Sequence, residues 1–308
     1  MIYLFVFFLS LLLTYTVREI AIKKAVMDIP NHRSSHDVPT PRGGGVAIVI
    51  SFYVGLFWLY HTGVLDERLF YSLLFALPVA TVGLVDDIVN ISASKRFFIQ
   101  TVSAVGALYI LDLTSYFFIP SLLVILWFTN LFNFLDGIDG YVSSQTIFIS
   151  LVAFVLFDNF LFLILAAAVL GFLPFNWQRA SIFMGDTGST FIGFTIGIFF
   201  LYFSKDYDDV LIWLLITSAF WFDATYTLFR RLFNHERITK AHRKHLFQRA
   251  VRGGLSHRFV TLTLLGIDLL IFASIFFLRD FKEVALLSFI SIFFVLSKII
   301  DKRVSFYD

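Results

Sequence analysis

Long apolar runs, separated by short polar segments, fill most of the chain. A helix needs about 20 mainly apolar residues to cross the roughly 30 Å hydrocarbon core of a membrane. Strands left open in lipid cannot satisfy their backbone hydrogen bonds, so these runs predict helices. The pattern predicts an all-α polytopic membrane protein with about eleven transmembrane helices in a single domain, residues 1–308. The predicted spans are 1–17, 44–61, 69–85, 97–111, 116–134, 143–157, 160–176, 189–204, 210–229, 259–278 and 284–300.

The composition agrees with this pattern, because 58% of the residues are hydrophobic and only 15% are charged. Soluble domains are closer to about half apolar and about a quarter charged, so a soluble protein is excluded. The chain has no cysteine, which excludes disulfides and thiolate metal sites. Residues 1–17 lack the basic start and the cleavage site of a signal peptide, so we interpret them as a retained span.

Lys and Arg residues lie mainly between alternate predicted spans. If the N-terminus faces outward, 20 of the 24 fall on the inner side, together with six of the seven histidines. Cytoplasmic loops hold the excess of Lys and Arg in membrane proteins. We therefore predict an outside N-terminus, a cytoplasmic C-terminus and an active site on the cytoplasmic face.

Two adjacent carboxylates, Asp86 and Asp87, end the third predicted span, and Lys95 and Arg96 follow them. Adjacent carboxylates at a membrane boundary repel each other and are costly to desolvate. A divalent cation or a basic partner would compensate their charge, which makes the pair a candidate for metal binding or catalysis. The alternative is a pair of solvated residues at a helix end.

The inner loop at 130–140 combines four polar side chains with two glycines and contains no basic residue. Asp136 and Asp139 lie three residues apart, so they share one side of a helix or of a tight turn. With Asn130 and Asn133 they offer oxygen ligands, which suit Mg²⁺. The alternative is a turn stabilised by its own Asn and Asp side chains, although no cation within the loop balances its charge.

Asp186 lies among small and hydroxyl side chains in the segment 183–189, just before the eighth predicted span. Such a segment suits a helix start, where exposed N–H groups can hold anions. Asp186 alone would be an ordinary N-cap, but beside the other aspartates it is a candidate metal ligand.

The glycines at 43–45 predict a close approach of their backbone to another group, and Arg42 beside them is a candidate phosphate ligand.

Nine Lys and Arg residues lie between Arg230 and Arg258, interspersed with His242 and His245. Zinc binding is disfavoured, because the chain has no cysteine and no third soft ligand lies nearby. Recognition of phosphate by Arg, Lys and His fits better, so Arg243 and the two histidines are candidate substrate-binding or catalytic residues. The alternative is a basic loop that only sets topology and contacts anionic lipid head groups.

Two further acids lie inside predicted spans. Such residues usually face the interior of a helix bundle. We predict that Asp223 pairs with Arg230 near the inner end of its span. Asp268, nearer the middle of the membrane, is predicted to form a hydrogen bond between helices.

The order of these motifs resembles the polyprenyl-phosphate N-acetylhexosamine-1-phosphate transferases. The similarity runs from Pro30 to Gln248 and rests on the Asp86-Asp87 pair, the segments 130–140 and 182–189, and the basic loop. The segments 33–36 and 39–45 are most similar to the branch that initiates O-antigen synthesis. The resemblance implies Mg²⁺ as cofactor, with Mn²⁺ as a substitute, undecaprenyl phosphate as acceptor, a UDP-N-acetyl sugar as donor and UMP as leaving group.

Residue chemistry and this resemblance together assign the candidate site. Phe247 and Gln248 follow His245 where many members have a run of histidines, so the catalytic histidine is either His242 or His245. The predicted catalytic residues are Asp86, Asp87, Asp136, Asp139 and His245; the predicted substrate-binding residues are Arg42, Asn130, Asn133, Lys95, Arg96, His242 and Arg243; the predicted metal ligands are Asp186, Asp87 and Asn133.

The implied reaction is attack of the lipid phosphate on the β-phosphorus of the UDP-sugar. A phosphate monoester has a second pKa of about 6, so the acceptor is largely dianionic at neutral pH. Two anions that must meet need charge neutralisation and alignment more than a general base. Direct displacement is therefore favoured, and a covalent aspartyl intermediate on Asp87 stays open.

A flippase or transporter of polyprenyl lipids is the alternative function, but it should carry ionisable groups along a midplane pathway. An alcohol phosphatidyltransferase would hold its aspartates in one compact segment.

We expect a multi-pass protein of the bacterial inner (plasma) membrane. Its expected partners are the lipid bilayer and the two substrates, with no nucleic acid, and a homodimer is left open. The similarity to the O-antigen branch places a UDP-6-deoxy-N-acetylhexosamine slightly ahead of UDP-N-acetylglucosamine as donor.

Overall fold

The computed structural model describes residues 1–30, 35–237 and 242–307. Within these ranges the chain forms α-helices and one short two-stranded ribbon, so the all-α prediction is confirmed. The helices are α1 Ile2–Lys23, α2 Gly45–His61, α3 Glu67–Leu74, α4 Ala76–Val89, α5 Ala93–Ile110, α6 Phe118–Leu135, α7 Tyr141–Phe157, α8 Leu161–Asn176, α9 Gly185–Phe203, α10 Tyr207–Ile216, α11 Ser218–Phe233, α12 Leu246–Arg252, α13 His257–Phe277 and α14 Lys282–Asp301; the strands are β1 Met27–Asp28 and β2 Thr40–Pro41.

Each predicted span coincides with one of these helices or with a pair of them. In the described ranges, six helical segments are long and apolar enough to cross a membrane by themselves: α1, α3 with α4, α6, α9, α13 and α14. The bent pair α10–α11 makes a seventh, and α2, α7 and α8 are shorter apolar helices. The polytopic class is therefore confirmed, whereas the number eleven stays a prediction.

The predicted span 210–229 is broken, because α10 and α11 meet at Thr217 with a bend of 76°. Side chains satisfy the backbone carbonyls that the break frees. The Trp221 indole donates to the Leu214 carbonyl at 2.8 Å, and the Gln145 amide donates to the Ile216 carbonyl at 3.3 Å. A break in an apolar helix is tolerated when protein groups take over its lost hydrogen bonds.

The centre of the fold is α9, of whose apolar stretch 83% is buried, against 22% for α1. It packs between α4 and α6, and also contacts α2. Asp87 at the C-terminal end of α4 and Asn133 at the C-terminal end of α6 both contact the first turns of α9. The N-terminus of α9 therefore lies next to these two helix ends. This arrangement brings the three aspartate segments of the sequence to one end of the helix bundle.

The glycine-rich segment packs directly on the start of α9. Strand β1 pairs antiparallel with β2, in the register Met27–Pro41. The chain then donates from the Gly44 and Gly45 amides to the carbonyls of Phe183 and Met184, at 3.0 and 2.9 Å. The predicted close approach of this backbone is confirmed, and the group that it approaches is the protein's own backbone. Arg33 and Ser34, which contributed to the resemblance, lie outside the described residues.

We expect the replacement Gly45→Ala to destabilise the fold by about 1–3 kcal/mol, because a Cβ at this position would overlap the Gly188 backbone. Gly266→Ala is the matched control, since a Cβ there meets no atom within 4 Å and alanine favours helix. Thermal unfolding of both variants in one detergent measures the difference. Equal midpoints for the two variants would contradict this packing.

The predicted helix–helix hydrogen bond of Asp268 is confirmed. Its carboxylate accepts from the Gln145 amide of α7 at 3.4 Å, and the residue is completely buried in α13. The bond links the two helices inside the bundle, away from the aspartate segments.

Candidate active site

A cavity of about 300 Å³ lies where α4, the α6–α7 loop, the start of α9 and the basic loop meet. Seven of the predicted site residues line it, and they come from five separate parts of the sequence. The lining residues are Asp28, Ser35, His36, Arg42, Asp87, Asn133, Asp136, Gly137, Ile138, Asp139, Asn176, Phe183, Gly185, Asp186, His242, Gln248 and His257.

Asp87 caps the N-terminus of α9 from outside that helix. Its Oδ1 accepts from the Asp186 amide at 3.0 Å, and its Oδ2 accepts from the Thr187 amide at 3.1 Å and the Thr187 hydroxyl at 2.7 Å. The side chain is only 2% exposed. Gly185 has a φ of +72°, and a Cβ there would lie 2.5 Å from the Asp87 carboxylate, so only glycine fits this junction. The interaction fixes the end of α4 to the start of α9.

Arg96 joins two of the aspartate segments. Its guanidinium pairs with Asp86 at 2.8 Å and also with Asp186. Asp86 accepts in addition from the Ile91 amide at 2.5 Å. Asp86 and Arg96 therefore form the support behind Asp186 and do not line the cavity, while Lys95 is exposed.

The loop after α6 contains a held carboxylate, Asp139, and a free one, Asp136. Asp139 is 8% exposed, and its Oδ2 accepts from the Ala180 amide at 3.2 Å. No described residue donates a hydrogen bond to the Asp136 carboxylate. Burial, with the negative charges of Asp186, Asp87 and Asp139, raises the pKa of Asp136 to about 8. The ionised carboxylate is thus unfavourable here unless a cation joins it.

We expect Asp136→Asn to raise the thermal midpoint of the metal-free protein. A folded pKa above the unfolded value makes the ionised group destabilising, and this cost grows as the pH rises from about 4 to about 8. Asparagine removes the cost, and each kcal/mol regained raises the midpoint by about 2–4 °C. Unfolding at pH 8 with chelator measures the gain. Asp139→Asn is the control and should show none, because it weakens the bond to Ala180; a lower midpoint for Asp136→Asn would contradict the cause given.

The carboxamides of the same helix separate into two groups. Asn133 lines the cavity and donates to the Ser189 hydroxyl at 3.2 Å. Asn130 lies one turn earlier, where it donates to Gln100 at 3.2 Å and to the Leu126 carbonyl at 2.8 Å. The structure therefore brings Asn133 into the site, whereas it places Asn130 between α5 and α6.

The basic loop contributes fewer free cations than its composition indicates. Lys244 and Arg231 both pair with Glu236, at 3.0 Å each. Arg243 is half-buried and does not line the cavity, whereas His242 does. Burial, His245 and Arg231 lower the pKa of His242 to about 3, so this side chain is neutral at physiological pH.

The predicted pairing of Asp223 with Arg230 is wrong. Asp223 accepts from the Leu246 amide at 2.8 Å and the Phe247 amide at 3.4 Å, and the His245 Nδ1 lies 3.4 Å away. The N–H groups at a helix start lack partners in their own helix and attract a carboxylate. Asp223 consequently holds the start of α12, and His245 is buried at that junction, outside the lining of the cavity.

His257 lines the cavity although the sequence did not single it out. Its Nδ1 accepts from the Asp139 amide at 3.2 Å and lies 3.3 Å from the Asp139 Oδ2. Its Nε2 lies 3.0 Å from the Ser35 carbonyl. A single imidazole thus connects α13 to the α6–α7 loop and to the segment before β2. Asp28, His36 and Gln248 also line the site and were not predicted.

Arg42 is well placed to meet an anion. It lines the cavity beside Asp87, and its Nε is buried with no hydrogen-bond partner in the described ranges. Buried guanidinium groups without partners are costly, because their hydrogen-bonding capacity is lost. An anion in the cavity that contacts the Arg42 guanidinium would reduce this cost.

Comparison with known proteins identifies the family. The sequence pattern of glycosyl transferase family 4 matches residues 69–204, which include all three aspartate segments. A Bacillus subtilis (strain 168) protein named "Probable undecaprenyl-phosphate N-acetylglucosaminyl 1-phosphate transferase" is 32% identical over 280 residues, covering 82% of this chain and 77% of the relative. The chain belongs to the polyprenyl-phosphate N-acetylhexosamine-1-phosphate transferase family.

Other members of this transferase family show similar coverage or less. Undecaprenyl-phosphate α-N-acetylglucosaminyl 1-phosphate transferase of Salmonella typhimurium is 28% identical over 308 residues, covering 84% of this chain and 78% of the relative. The protein of the same name from Thermotoga maritima is 29% identical over 191 residues, covering 60% of each chain. The predicted resemblance is thereby confirmed at the level of the family.

Proposed function

We propose that this transferase moves N-acetylglucosamine 1-phosphate from UDP-N-acetylglucosamine to undecaprenyl phosphate and releases UMP. The observation that carries the proposal is the convergence of Asp87, Asp136, Asp139 and Asp186 on one cavity, in a chain of this family. The product, a lipid diphosphate sugar, would start the assembly of O-antigen or another cell-envelope polysaccharide. The acidic side chains lie at helix ends, which favours an enzyme over a flippase or transporter with a midplane pathway.

The names of the relatives bear on the donor sugar. The relatives described above carry N-acetylglucosamine in their names. These names reverse the order predicted from the sequence, which placed a 6-deoxy-N-acetylhexosamine first. We therefore propose UDP-N-acetylglucosamine as the donor to test first and keep the 6-deoxy sugar second.

We further propose Mg²⁺ as the cofactor, held by Asp87, Asn133 and Asp186, with Asp136 beside them and Mn²⁺ as a substitute. The Asp136 carboxylate has no hydrogen-bond donor among the described residues, and burial with the neighbouring carboxylates raises its pKa, which suits a group that binds a cation. Among the described residues, no three acidic or histidine side chains are grouped tightly enough to form a complete metal site. Mg²⁺ usually binds one or two carboxylates and completes its coordination with waters and substrate phosphates, and we propose that it does so here. When bound, the ion would neutralise charge on the diphosphate.

The side chains then have separate tasks in the transfer. An oxygen of the lipid phosphate attacks the β-phosphorus, the bond from that phosphorus to the bridging oxygen breaks, and UMP leaves with the bridging oxygen. Arg42, which lines the cavity, binds a phosphate oxygen through its guanidinium group. Arg96 holds Asp186 in place, and neutral His242 offers a hydrogen bond from the cavity wall.

Direct displacement is supported over a covalent intermediate on Asp87. The two oxygens of this carboxylate accept three hydrogen bonds from the start of α9. Those bonds stabilise the negative charge and reduce the nucleophilicity of the group. Asp87 also could not leave its position without losing these three hydrogen bonds to the start of α9. Asp87 consequently fits a fixed support or ligand better than an attacking group.

Turnover by the purified protein tests the proposal. The protein is incubated with undecaprenyl phosphate and each of two donors, UDP-N-acetylglucosamine and a UDP-6-deoxy-N-acetylhexosamine, and released UMP is measured. We expect faster UMP release with UDP-N-acetylglucosamine, and a tenfold preference corresponds to about 1.4 kcal/mol. UMP release that does not depend on added polyprenyl phosphate would contradict the proposed acceptor. Faster turnover of the 6-deoxy donor would restore the order predicted from the sequence.

The location of the protein remains part of the same proposal. The distribution of Lys and Arg supports a bacterial inner-membrane protein with its N-terminus outside and its cavity facing the cytoplasm, where UDP-sugars are made. A homodimer stays open.

A further inference from the structure

Helix α12 forms one wall of the cavity. Gln248 lines the cavity, and a Cβ on Gly137 would lie 2.8 Å from the Gln248 amide nitrogen, so the two segments are in direct contact. Phe247 stacks on Tyr141 with ring centroids 4.7 Å apart. The position of α12 therefore determines how closely the basic loop approaches the loop that carries Asp136.

A second side of α12 is bound by the end of α14 and the residues after it. Arg249 is only 1% exposed, and its guanidinium donates to the Val304 carbonyl at 2.7 Å and pairs with Asp301. Asp301 also pairs with Arg230 of α11 at 2.9 Å. One carboxylate thus joins α11, α12 and α14.

Phe306 lies at the centre of the same cluster and is 2% exposed. The guanidinium carbons of Arg230 and Arg249 lie 3.8 and 5.4 Å from the centroid of its ring, and the Lys244 ammonium lies 5.2 Å away. Cations over an aromatic face are attracted by its negative charge distribution. Three cations of the basic loop are therefore engaged in this structure and not in the cavity.

A helix of seven residues is too short to be stable by its own hydrogen bonds, so its position depends on its packing. We propose that residues 301–306 act as a clamp that positions α12, and through it Gln248 and His242, for the transfer. Asp301 and Phe306 are then positioning residues of the enzyme, although neither lines the cavity. The effect on turnover rests on the proposed function, whereas the clamp itself is a property of the fold.

The variants Phe306→Ala and Asp301→Asn test the clamp. We expect each to lower kcat about tenfold, because a small displacement of a wall residue costs alignment of the reacting groups. Tyr307→Ala is the matched control, since this neighbouring aromatic side chain is 74% exposed, and it should retain wild-type kcat. A Phe306→Ala variant with wild-type kcat would overturn the proposal.

A disulfide separates positioning from a general loss of folding. The chain has no cysteine, so the double replacement Gly253→Cys and Val304→Cys introduces a single possible pair. A Cβ on Gly253 would lie 3.4 Å from the Val304 Cγ2, so side chains at the two positions are in direct contact, and Gly253 has an ordinary φ of −76°. We expect the oxidised bond to restore most of the kcat that Phe306→Ala loses, and a reducing agent to remove that rescue. An oxidised Phe306→Ala variant that stays about tenfold slow would overturn the clamp.

The rate of disulfide formation gives a readout that does not require activity. We expect the two cysteines that replace Gly253 and Val304 to cross-link rapidly in the protein that keeps Phe306. The rate of cross-linking should be at least about fivefold lower in the Phe306→Ala variant, because residues 301–306 then separate from α12 more often. Equal rates would overturn the clamp. If the wild-type protein shows no transfer, the proposed function fails, and the cross-linking rates still decide the clamp.

Discussion

Replacing Asp186 by asparagine is expected to abolish turnover, with a fall in kcat of about 10³-fold. The carboxylate lies in the cavity beside Asp87 and Asn133, in the first turn of α9, and the replacement removes one negative charge from the proposed cation site. The fold should survive, because Arg96 keeps its ion pair with Asp86 at 2.8 Å and Asp87 still caps α9. Steady-state kinetics with both substrates saturating measure the change.

The matched control is Asp112→Asn, which removes a carboxylate that is 73% exposed and pairs only loosely with Arg68 at 3.6 Å. It should leave kcat unchanged, because exposed ion pairs contribute little. Thermal midpoints of both variants should stay close to the wild-type value. An Asp186→Asn variant that keeps more than a tenth of the wild-type kcat would remove Asp186 from the proposed site.

Removing divalent cations is expected to stop the reaction, lowering turnover by at least about 10²-fold, and added Mg²⁺ should restore it. Five carboxylates line the cavity, and the lipid phosphate and the diphosphate of the donor add further negative charge. Among the described residues that line the cavity, Arg42 is the only lysine or arginine, and Arg96 behind the wall is already paired with Asp86 and Asp186. Without a cation the substrates would repel both each other and the site.

Turnover measured in EDTA, then in EDTA with excess Mg²⁺, tests this requirement. EDTA preloaded with Mg²⁺ is the control for effects of the chelator itself and should leave the rate unchanged. Mg²⁺ should also raise the thermal midpoint of the wild-type protein more than that of Asp186→Asn, because a cation that binds the folded state stabilises it. Full turnover after complete removal of divalent cations would defeat the proposed cofactor.

The sequence predicted the aspartate cluster because its members have signals that act locally. Asp136 and Asp139 lie in a polar loop between apolar runs, and Asp86-Asp87 ends such a run. A membrane forces these ends to one of two faces, so residues far apart in sequence can be assigned to a common region. Six of these predicted carboxylates and carboxamides do meet at one end of the bundle, and Asn133 is one of them.

The partners of these residues could not be predicted, since they depend on packing between helices. Asp87 caps a helix that begins about a hundred residues later, and nothing in its own segment indicates this. Asp223 was assigned to Arg230 because one helix carries both, yet the start of α12 offers it unpaired N–H groups. The bend at Thr217 was missed because only two small polar residues, Thr217 and Ser218, interrupt the apolar run there.

Functional side chains that stand alone in the sequence, outside any motif, could not be predicted from the sequence pattern. His257 follows Ser256 at a helix start in a basic region, and a single histidine there has no distinctive spacing. Its contact with Asp139 appears only once α13 packs on α7. Phe306 is one of 41 phenylalanines, so only its burial beneath three cations distinguishes it.

The fate of the β-phosphorus tests the central proposal most directly. UDP-N-acetylglucosamine labelled with ³²P at the β position is incubated with the purified protein and undecaprenyl phosphate, and the lipid is extracted into butanol. Transfer of the sugar with its phosphate predicts that the label enters the lipid fraction in step with UMP release and is absent from it with Asp186→Asn. Label that stays in the aqueous phase as UDP, while the sugar enters the lipid, would contradict the proposed phosphosugar transfer.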